Sequence, residues 1–274
     1  MRNTQDMFNL TGKTAFITGG GGLLGKKHAE AIVEAGGNAI IADFSTVSAV
    51  ATAGFLNEKY ERECAFPCFI DVTRKDLVEK AVARFDKIDI LINNAAKDPK
   101  VSTDNGLTPD SRFETMTPEY WYTGIDAIVN GTFFCSQVIA NKMLETGGGV
   151  ILNVASDLGV IAPDQRIYRK DGVEDSMQNV KPITYSAAKW AVIGMTKYLA
   201  TYFADKGIRV NALSPSGVYN NHPEEFVHKL SNLIPMGRMA NIDEYKGAVL
   251  FLCSDASSYM TGANLIIDGG KSVW

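Results

Sequence analysis

Two side chains in the run from Ile183 to Lys197, Tyr185 and Lys189, have the types and spacing for acid–base chemistry. The run holds small and apolar residues with no Pro or Gly before Gly194, which predicts a buried helix continuing to about Lys206. Four positions apart, the phenol and the ammonium share one face of that helix. An unperturbed phenol titrates near pH ~10 and a lysine near ~10.4. An ammonium held beside the phenol favours phenolate, so the pair predicts a tyrosine of lowered pKa serving as general acid and base. Tyr and Lys at this spacing also occur on many solvent-facing helices. The pair therefore needs surrounding elements able to bring a reacting molecule to it.

Those elements begin near the N-terminus. Lys13–Thr18 is a short apolar, β-branched run, and it passes directly into Gly19-Gly20-Gly21-Gly22-Leu23-Leu24-Gly25 and then a helix-forming stretch, Lys26–Ala35. Strand, glycine turn and helix in that order let backbone approach a pyrophosphate, with helix-terminal N–H groups holding the phosphates. A second strand, Asn38–Asp43, ends in a carboxylate followed by Phe44. Asp43 is placed to accept from the ribose hydroxyls of an adenosine and to repel a 2′-phosphate, which favours NAD over NADP.

Strands are expected at Ala65–Ile70, Ile88–Ile92, Val150–Ala155, Gly207–Leu213 and Asn264–Asp268, and helices at Val47–Arg62, Arg74–Phe85, Glu119–Glu145, Glu224–Ser231 and Asp243–Cys253. Asp71-Val72 follows the third strand, where Asp71 either meets an adenine amino group or caps the next helix. Asn93-Asn94-Ala95-Ala96 follows the fourth, and small residues there let a cofactor lie against backbone. Ser156 follows the fifth, and Pro215-Ser216-Gly217-Val218 the sixth. The alternation implies an α/β fold: one Rossmann-type, doubly wound parallel sheet of about seven strands, residues 1–274 forming a single domain. Two long polar segments, 97–118 and 157–182, are expected as loops over the active site.

Composition narrows the class. The chain has 274 residues, 46% apolar and 21% charged, with a net charge of −4 and no basic run, so neither nucleic acid nor an acidic membrane is an expected partner. No apolar stretch is long enough for a membrane helix, and the first ten residues are too polar for a signal peptide, which makes a cytoplasmic protein the expectation. The four cysteines form no Cys-x-x-Cys pair and the three histidines are scattered, so no disulfide framework or metal site is expected.

Thr18-Gly19-x-x-Gly22-x-x-Gly25, Asp71-Val72, Asn93-Asn94-Ala95-Ala96, Ser156, Tyr185-x-x-x-Lys189 and Asp268-Gly269-Gly270 together, in this order, resemble the short-chain dehydrogenase/reductase superfamily over about Leu10 to Gly270. The resemblance implies hydride transfer between a nicotinamide and a carbinol carbon. Tyr185 would move the hydroxyl proton, Lys189 would hold the nicotinamide ribose and lower the tyrosine pKa, and Ser156 would position the oxygen. It implies cofactor contacts from Gly19, Gly22, Leu23, Leu24, Asp43, Phe44, Asp71, Val72, Asn94, Ala95, Ala96, Pro215, Gly217 and Val218, and a homodimer or homotetramer.

The chain departs from the family pattern in three places. Leu23 stands where the commoner glycine pattern has its second Gly, so Leu24 is expected to face the cofactor. Aligning Gly131 with the family's Asn-x-x-Gly puts Ile128 at the position of the catalytic asparagine, with Asn130 on another helix face; the proton relay is incomplete or rerouted. Ser156 and Tyr185 are 29 positions apart, much further than is usual. The added segment, with the run Leu213–Glu224, resembles oxidoreductases of flagellin modification and nonulosonate (legionaminic-type) biosynthesis. That implies a sugar, sugar-phosphate or nucleotide-sugar substrate.

Lys97, Lys100, Arg166, Tyr168, Arg169 and Lys170 are candidate donors to such a substrate, with Asn220 and His222 as further contacts. The bland alternative is solvated charge, since Asp164, Asp171, Glu174 and Asp175 are interleaved among them. Polyol, sugar-acid or 3-oxoacyl substrates of the same superfamily compete with the sugar reading. A nucleotide sensor without turnover is the alternative from a different class.

Overall fold

A computed structural model describes residues 3–98 and 111–274. Seven parallel strands form one sheet in the order β3-β2-β1-β4-β5-β6-β7. They are β1 (Thr14–Thr18), β2 (Asn38–Asp43), β3 (Ala65–Phe69), β4 (Ile90–Asn93), β5 (Gly149–Val154), β6 (Ile208–Pro215) and β7 (Asn264–Ile267). Among the described residues seven α-helices join them: α1 (Leu23–Glu34), α2 (Thr46–Lys59), α3 (Lys75–Val82), α4 (Pro118–Glu145), α5 (Ile183–Phe203), α6 (Glu224–Ser231) and α7 (Lys246–Cys253).

The strands read as continuous apolar runs because both faces are covered. Ala15, Ile17, Ile41, Ile92 and Leu152 point to one face and pack with α1, α2 and α7. Phe16, Ile40, Leu91 and Ile151 point to the other and pack with Val78, Cys135, Ile139, Met143 and Phe203 of α3, α4 and α5. Strand period two thus divides the core between two helical layers.

The order reverses between β1 and β4, so connections leave this point in opposite directions and open a crevice at the strands' carboxyl ends. Its two sides are tied together. Thr18 Oγ1 accepts from the backbone N–H groups of Asn94 and Ala95, both at 3.0 Å, and Asn94 Nδ2 donates to Thr18 O and Gly19 O.

Several expected boundaries move. The first helix starts at Leu23 rather than Lys26, because the chain enters helical geometry directly from the glycine turn. The last starts at Lys246 rather than Asp243. Glu244 turns back there to accept from Asn241 N at 2.7 Å while pairing with Arg238, which holds residues before the helix in a turn. The segment 157–182 is more structured than a plain loop, with three 3₁₀ turns at Asp157–Gly159, Gln165–Tyr168 and Asp175–Met177. Most of the other expected loop, including Lys100, lies outside the described residues. Among the described residues no helix is long and apolar enough to cross a membrane.

Candidate active site

The glycine turn occupies the β1 side of the crevice. Gly19 takes the left-handed conformation at φ +62°, and a Cβ at Gly25 would come within 2.1 Å of Gly19 O, so helix α1 can approach the turn only without a side chain there. Asp43 closes the turn from β2: its Oδ2 accepts from Gly21 N at 2.9 Å and its Oδ1 from Ser45 N at 2.8 Å. The carboxylate is thereby fixed beside the turn, at the end of the strand. Phe44 is exposed next to it and faces Phe69.

These features fit a dinucleotide: a side-chain-free backbone turn at a helix N-terminus, a fixed acid beside it, and half-buried Ala95 with exposed Ala96 across the crevice. Gly22 is the N-cap of α1 and Leu23 is exposed in its first turn. Leu24, the next residue of α1, is half-buried against the core shared with α7. Asp71 does not cap α3; its Oδ1 accepts from Thr73 N and Thr73 Oγ1, closing a tight turn after β3. Val72 is buried against Gly131 of α4. Pro215 ends β6, and Gly217 and Val218 continue through a bridge to Ala240.

Helix α5 brings Tyr185 and Lys189 to the carboxyl end of β5, where Ser156 emerges. Lys189 is 3% exposed, its Nζ donates to Val154 O at 2.6 Å, and it lies 5.6 Å from the Tyr185 ring centre. A second lysine, Lys181, stands 4.6 Å from the same ring centre and pairs with Asp98.

The electrostatics differ from the helix-only expectation. Burial, helped by the Asp98 charge, pushes the Tyr185 phenol above its ordinary range, and the hydrogen bond from Ser156 only partly opposes this. Burial likewise brings Lys189 down to about 8, with Asp98 opposing. The ammonium alone does not overcome the cost of burying a phenolate.

Ile128 is 1% exposed and packs with Ala155, Ala188 and Val192, with Tyr185 at the edge of the cluster, so α4 turns an apolar face to the pair. Asn130 is on the exposed side, donating to Asp126 Oδ1 at 2.7 Å. The polar neighbours of Ser156 lie elsewhere. Its Oγ donates to Asp157 Oδ1 at 2.9 Å, and Asp157 Oδ2 accepts from Ser216 Oγ at 2.8 Å and from Lys271 Nζ at 2.9 Å.

The inserted segment is held by glutamines. Gln165 exchanges two hydrogen bonds with the Lys181 backbone, and Gln178 bonds Lys170 N, Lys170 O and Val173 O. Ile167 packs on the Leu230–Ile234–Met239 cluster. Tyr168 and His222 both lie against Phe226, at 5.8 and 5.5 Å, so the insert and the β6–α6 connection form one wall beside the site. Asn220 N donates to His222 Nδ1 within that connection. Arg166 does not join the wall: its exposed guanidinium is clasped by Asp164 at 2.6 Å, and Lys97 is exposed on the far loop.

Asp157, Lys181 and Lys271 escaped the sequence reading. Asp157 carried a signal, an acid directly after Ser156, whereas nothing in sequence brings Lys271 back across 114 positions.

A family model described as Enoyl-(Acyl carrier protein) reductase matches residues 22–272. The chain belongs to the short-chain dehydrogenase/reductase family. Among relatives, an NAD-dependent glycerol dehydrogenase of Listeria innocua is 34% identical over 97% of this chain and 96% of its own length. A D-threitol dehydrogenase of Mycolicibacterium smegmatis is 32% identical over 97% and 95%. Among solved structures, a gluconate 5-dehydrogenase of Burkholderia cenocepacia in complex with NADP and tartrate superposes with a TM-score of 0.83, at 27% identity, covering 99% of this chain and all of that one. The protein is therefore an oxidoreductase of this family, whose relatives use both forms of the nicotinamide cofactor.

Proposed function

We propose that the protein oxidises a secondary hydroxyl of a small polyol or sugar-derived alcohol, with NAD as cofactor, and reduces the corresponding ketone in reverse. The observation that carries this reading is the convergence of Tyr185, Ser156 and buried Lys189 at the carboxyl end of β5, in the sheet whose β1 ends in the glycine turn. NAD supplies the hydride acceptor there and, when oxidised, a positive charge.

The chain's own residues account for the rest. Tyr185 receives the substrate hydroxyl proton, Ser156 holds the oxygen, and Lys189 supplies a buried ammonium for the ribose. The Asp43 carboxylate accepts from ribose hydroxyls and repels a 2′-phosphate, which supports NAD over NADP. Gly19, Gly22, Leu23, Asn94 and Ala95 surround the dinucleotide, and Tyr168 and His222 line the substrate side.

A polyol replaces the surface-glycan substrate in this reading for two reasons. The curated relatives named above act, by their names, on glycerol and threitol. The basic residues of the insert are also not assembled as a phosphate site: Arg166 pairs with Asp164, and Arg169 with Asp175 at 3.3 Å.

NADH formation should be followed with glycerol, threitol, sugar acids, sugar phosphates, nucleotide sugars and acyl thioesters, each also tested with NADP. Polyols with NAD should give the highest kcat/KM. A nucleotide sugar in first place would return the surface-glycan reading, and an acyl thioester would favour the acyl-carrier reading. Tight NAD binding with no turnover of any alcohol would point to a sensor. Exposed Tyr122, Trp190, Tyr198 and Tyr202 on α4 and α5 support a homodimer or homotetramer, which light scattering would size.

A further inference from the structure

The added segment between Ser156 and Tyr185 ends by placing a buried cation beside the tyrosine. Lys181 directly precedes Pro182, the N-cap of α5. Its backbone is pinned at both polar groups: Lys181 N donates to Gln165 Oε1 at 2.8 Å, and Lys181 O accepts from Gln165 Nε2 at 3.1 Å. The residue is 8% exposed, with Nζ 4.6 Å from the Tyr185 ring centre. Lys189 reaches the same ring but its Nζ ends on the Val154 carbonyl, so Lys181 is the cation that the insert contributes.

A lysine ammonium has three N–H donors and no acceptor. Among the described residues Asp98 is the one hydrogen-bond acceptor of Lys181 Nζ, and it takes one of the three. Two donors remain, on a buried group beside the ring that receives the substrate proton. A buried donor without an acceptor is costly, which favours a ligand oxygen at this point.

The charge balance decides what kind of oxygen. Lys181 and Lys189 as cations and Asp98 and Asp157 as anions surround Tyr185, and Lys271 pairs with Asp157. The Lys181 charge is already met by Asp98, whose side chain is 57% exposed. A carboxylate or phosphate would have to displace that acid. A neutral hydroxyl accepts from a spare N–H with Asp98 in place.

We propose that Lys181 is a specificity-determining residue that donates to the hydroxyl oxygen on the carbon next to the reacting one, so that the substrate is a vicinal diol. This rests on the reading of Tyr185 as the proton acceptor of a polyol dehydrogenase. The reacting oxygen belongs to Tyr185 and Ser156, the neighbouring oxygen to Lys181, and no proton moves at Lys181. In the reverse direction the substrate is the α-hydroxyketone, and the same contact holds.

The test compares the polyol turned over fastest in the screen above with two analogues that differ only next to the reacting carbon. One carries hydrogen in place of that hydroxyl, and the other a carboxylate in place of the hydroxyl-bearing carbon. For propylene glycol these are isopropanol and lactate, the latter as both enantiomers. Wild type should favour the diol over both. In Lys181→Met, which leaves only the exposed Asp98 without its partner, the diol's advantage over the deoxy analogue in kcat/KM should fall roughly 10- to 100-fold, the range for losing a hydrogen bond to a charged group. Any change in Tyr185 itself slows both alcohols and cancels from this ratio. Lys181→Arg, which keeps a donor and the pair with Asp98, should retain more of the preference.

An unchanged ratio in Lys181→Met, or a wild type that oxidises the deoxy analogue as well as the diol, would overturn the proposal. So would a wild type that prefers the carboxylate and loses it in Lys181→Met, which would make Lys181 an anion site. Tyr185→Phe serves as the reference. If it remains fully active, the reading of Tyr185 fails; if it is inactive while the ratio in Lys181→Met is unchanged, only the role of Lys181 is lost.

Discussion

Two buried carboxylates in this protein have similar partners and opposite settings. Glu30 of α1 is 2% exposed and meets three lysines: Lys59 of α2 at 2.5 Å, Lys27 one helical turn before it at 3.0 Å, and Lys246 of α7 at 3.4 Å. Asp157 meets one lysine and two serine hydroxyls, one of them Ser156. Glu30 joins three helices of one layer and touches no group of the candidate site. Asp157 joins the ends of β5, β6 and the C-terminal turn around a hydroxyl proton. A buried acid surrounded only by cations can contribute to stability, whereas one that accepts from a hydroxyl also decides which way that hydroxyl points.

The largest effect should come from the catalytic side of the comparison. Tyr185→Phe should lower kcat by roughly 10²- to 10⁴-fold, the range for a general acid–base, with NAD affinity nearly unchanged by fluorescence titration. Near-normal turnover would remove Tyr185 from the mechanism and make the two carboxylates equivalent structural pairs.

On the other side, Glu30→Gln should cost about 1–3 kcal/mol of stability in chemical denaturation while leaving kcat alone, because it leaves three lysine ammonium groups facing a buried, uncharged amide. The pH dependence has a definite sign. Burial works against the Glu30 charge, but hydrogen bonds from Lys59 and Lys27 win and hold its carboxyl at about 2. The stability it adds is fully present above about pH 4.5 and is lost as pH falls towards 2. Wild type and Glu30→Gln should therefore differ at neutral pH and converge in acid. A constant gap down to pH 2 would contradict the assignment, and a fall in kcat would blur the contrast with Asp157.

The next effect is on cofactor choice. Asp43→Ala should narrow the preference for NAD over NADP by about tenfold in kcat/KM, equivalent to ~1.4 kcal/mol. It should leave the Ser156–Asp157 network untouched, since the two acids sit on opposite sides of the crevice. An unchanged ratio would remove the ribose role from Asp43.

How much of this was legible beforehand depends on sequence separation. Tyr185 and Lys189 were readable because helical periodicity fixes their relation locally, and the glycine turn because Gly25 must pass within reach of Gly19 O. The parallel sheet was readable from apolar runs that had to be buried on both faces. The tyrosine pKa was misjudged because burial depends on what covers the ring, which α5 alone does not contain. Lys271 with Asp157, Lys181 with Asp98, and the Gln165 clamp are tertiary meetings of ordinary residues, and no local pattern announces them.

The smallest effect concerns Asp98, which couples the inserted segment to the tyrosine. Tyr185 is surrounded by Lys181 and Lys189 as cations, by Asp98 and Asp157 as anions, and by the Tyr168 phenol. Asp98 raises both the Tyr185 phenol and the Lys189 ammonium. Asp98→Asn removes that charge and leaves Lys181 an unpaired cation 4.6 Å from the ring. Alcohol oxidation needs the Tyr185 phenolate to take the proton and the Lys189 ammonium to hold the ribose, so its pH profile follows both groups. Both should move to lower pH in Asp98→Asn, in a profile of kcat/KM against pH. A profile that stays in place with a raised substrate KM would assign Asp98 a purely mechanical role, tethering the insert through Lys181. The electrostatic influence on Tyr185 would then belong to the Asp157 side alone.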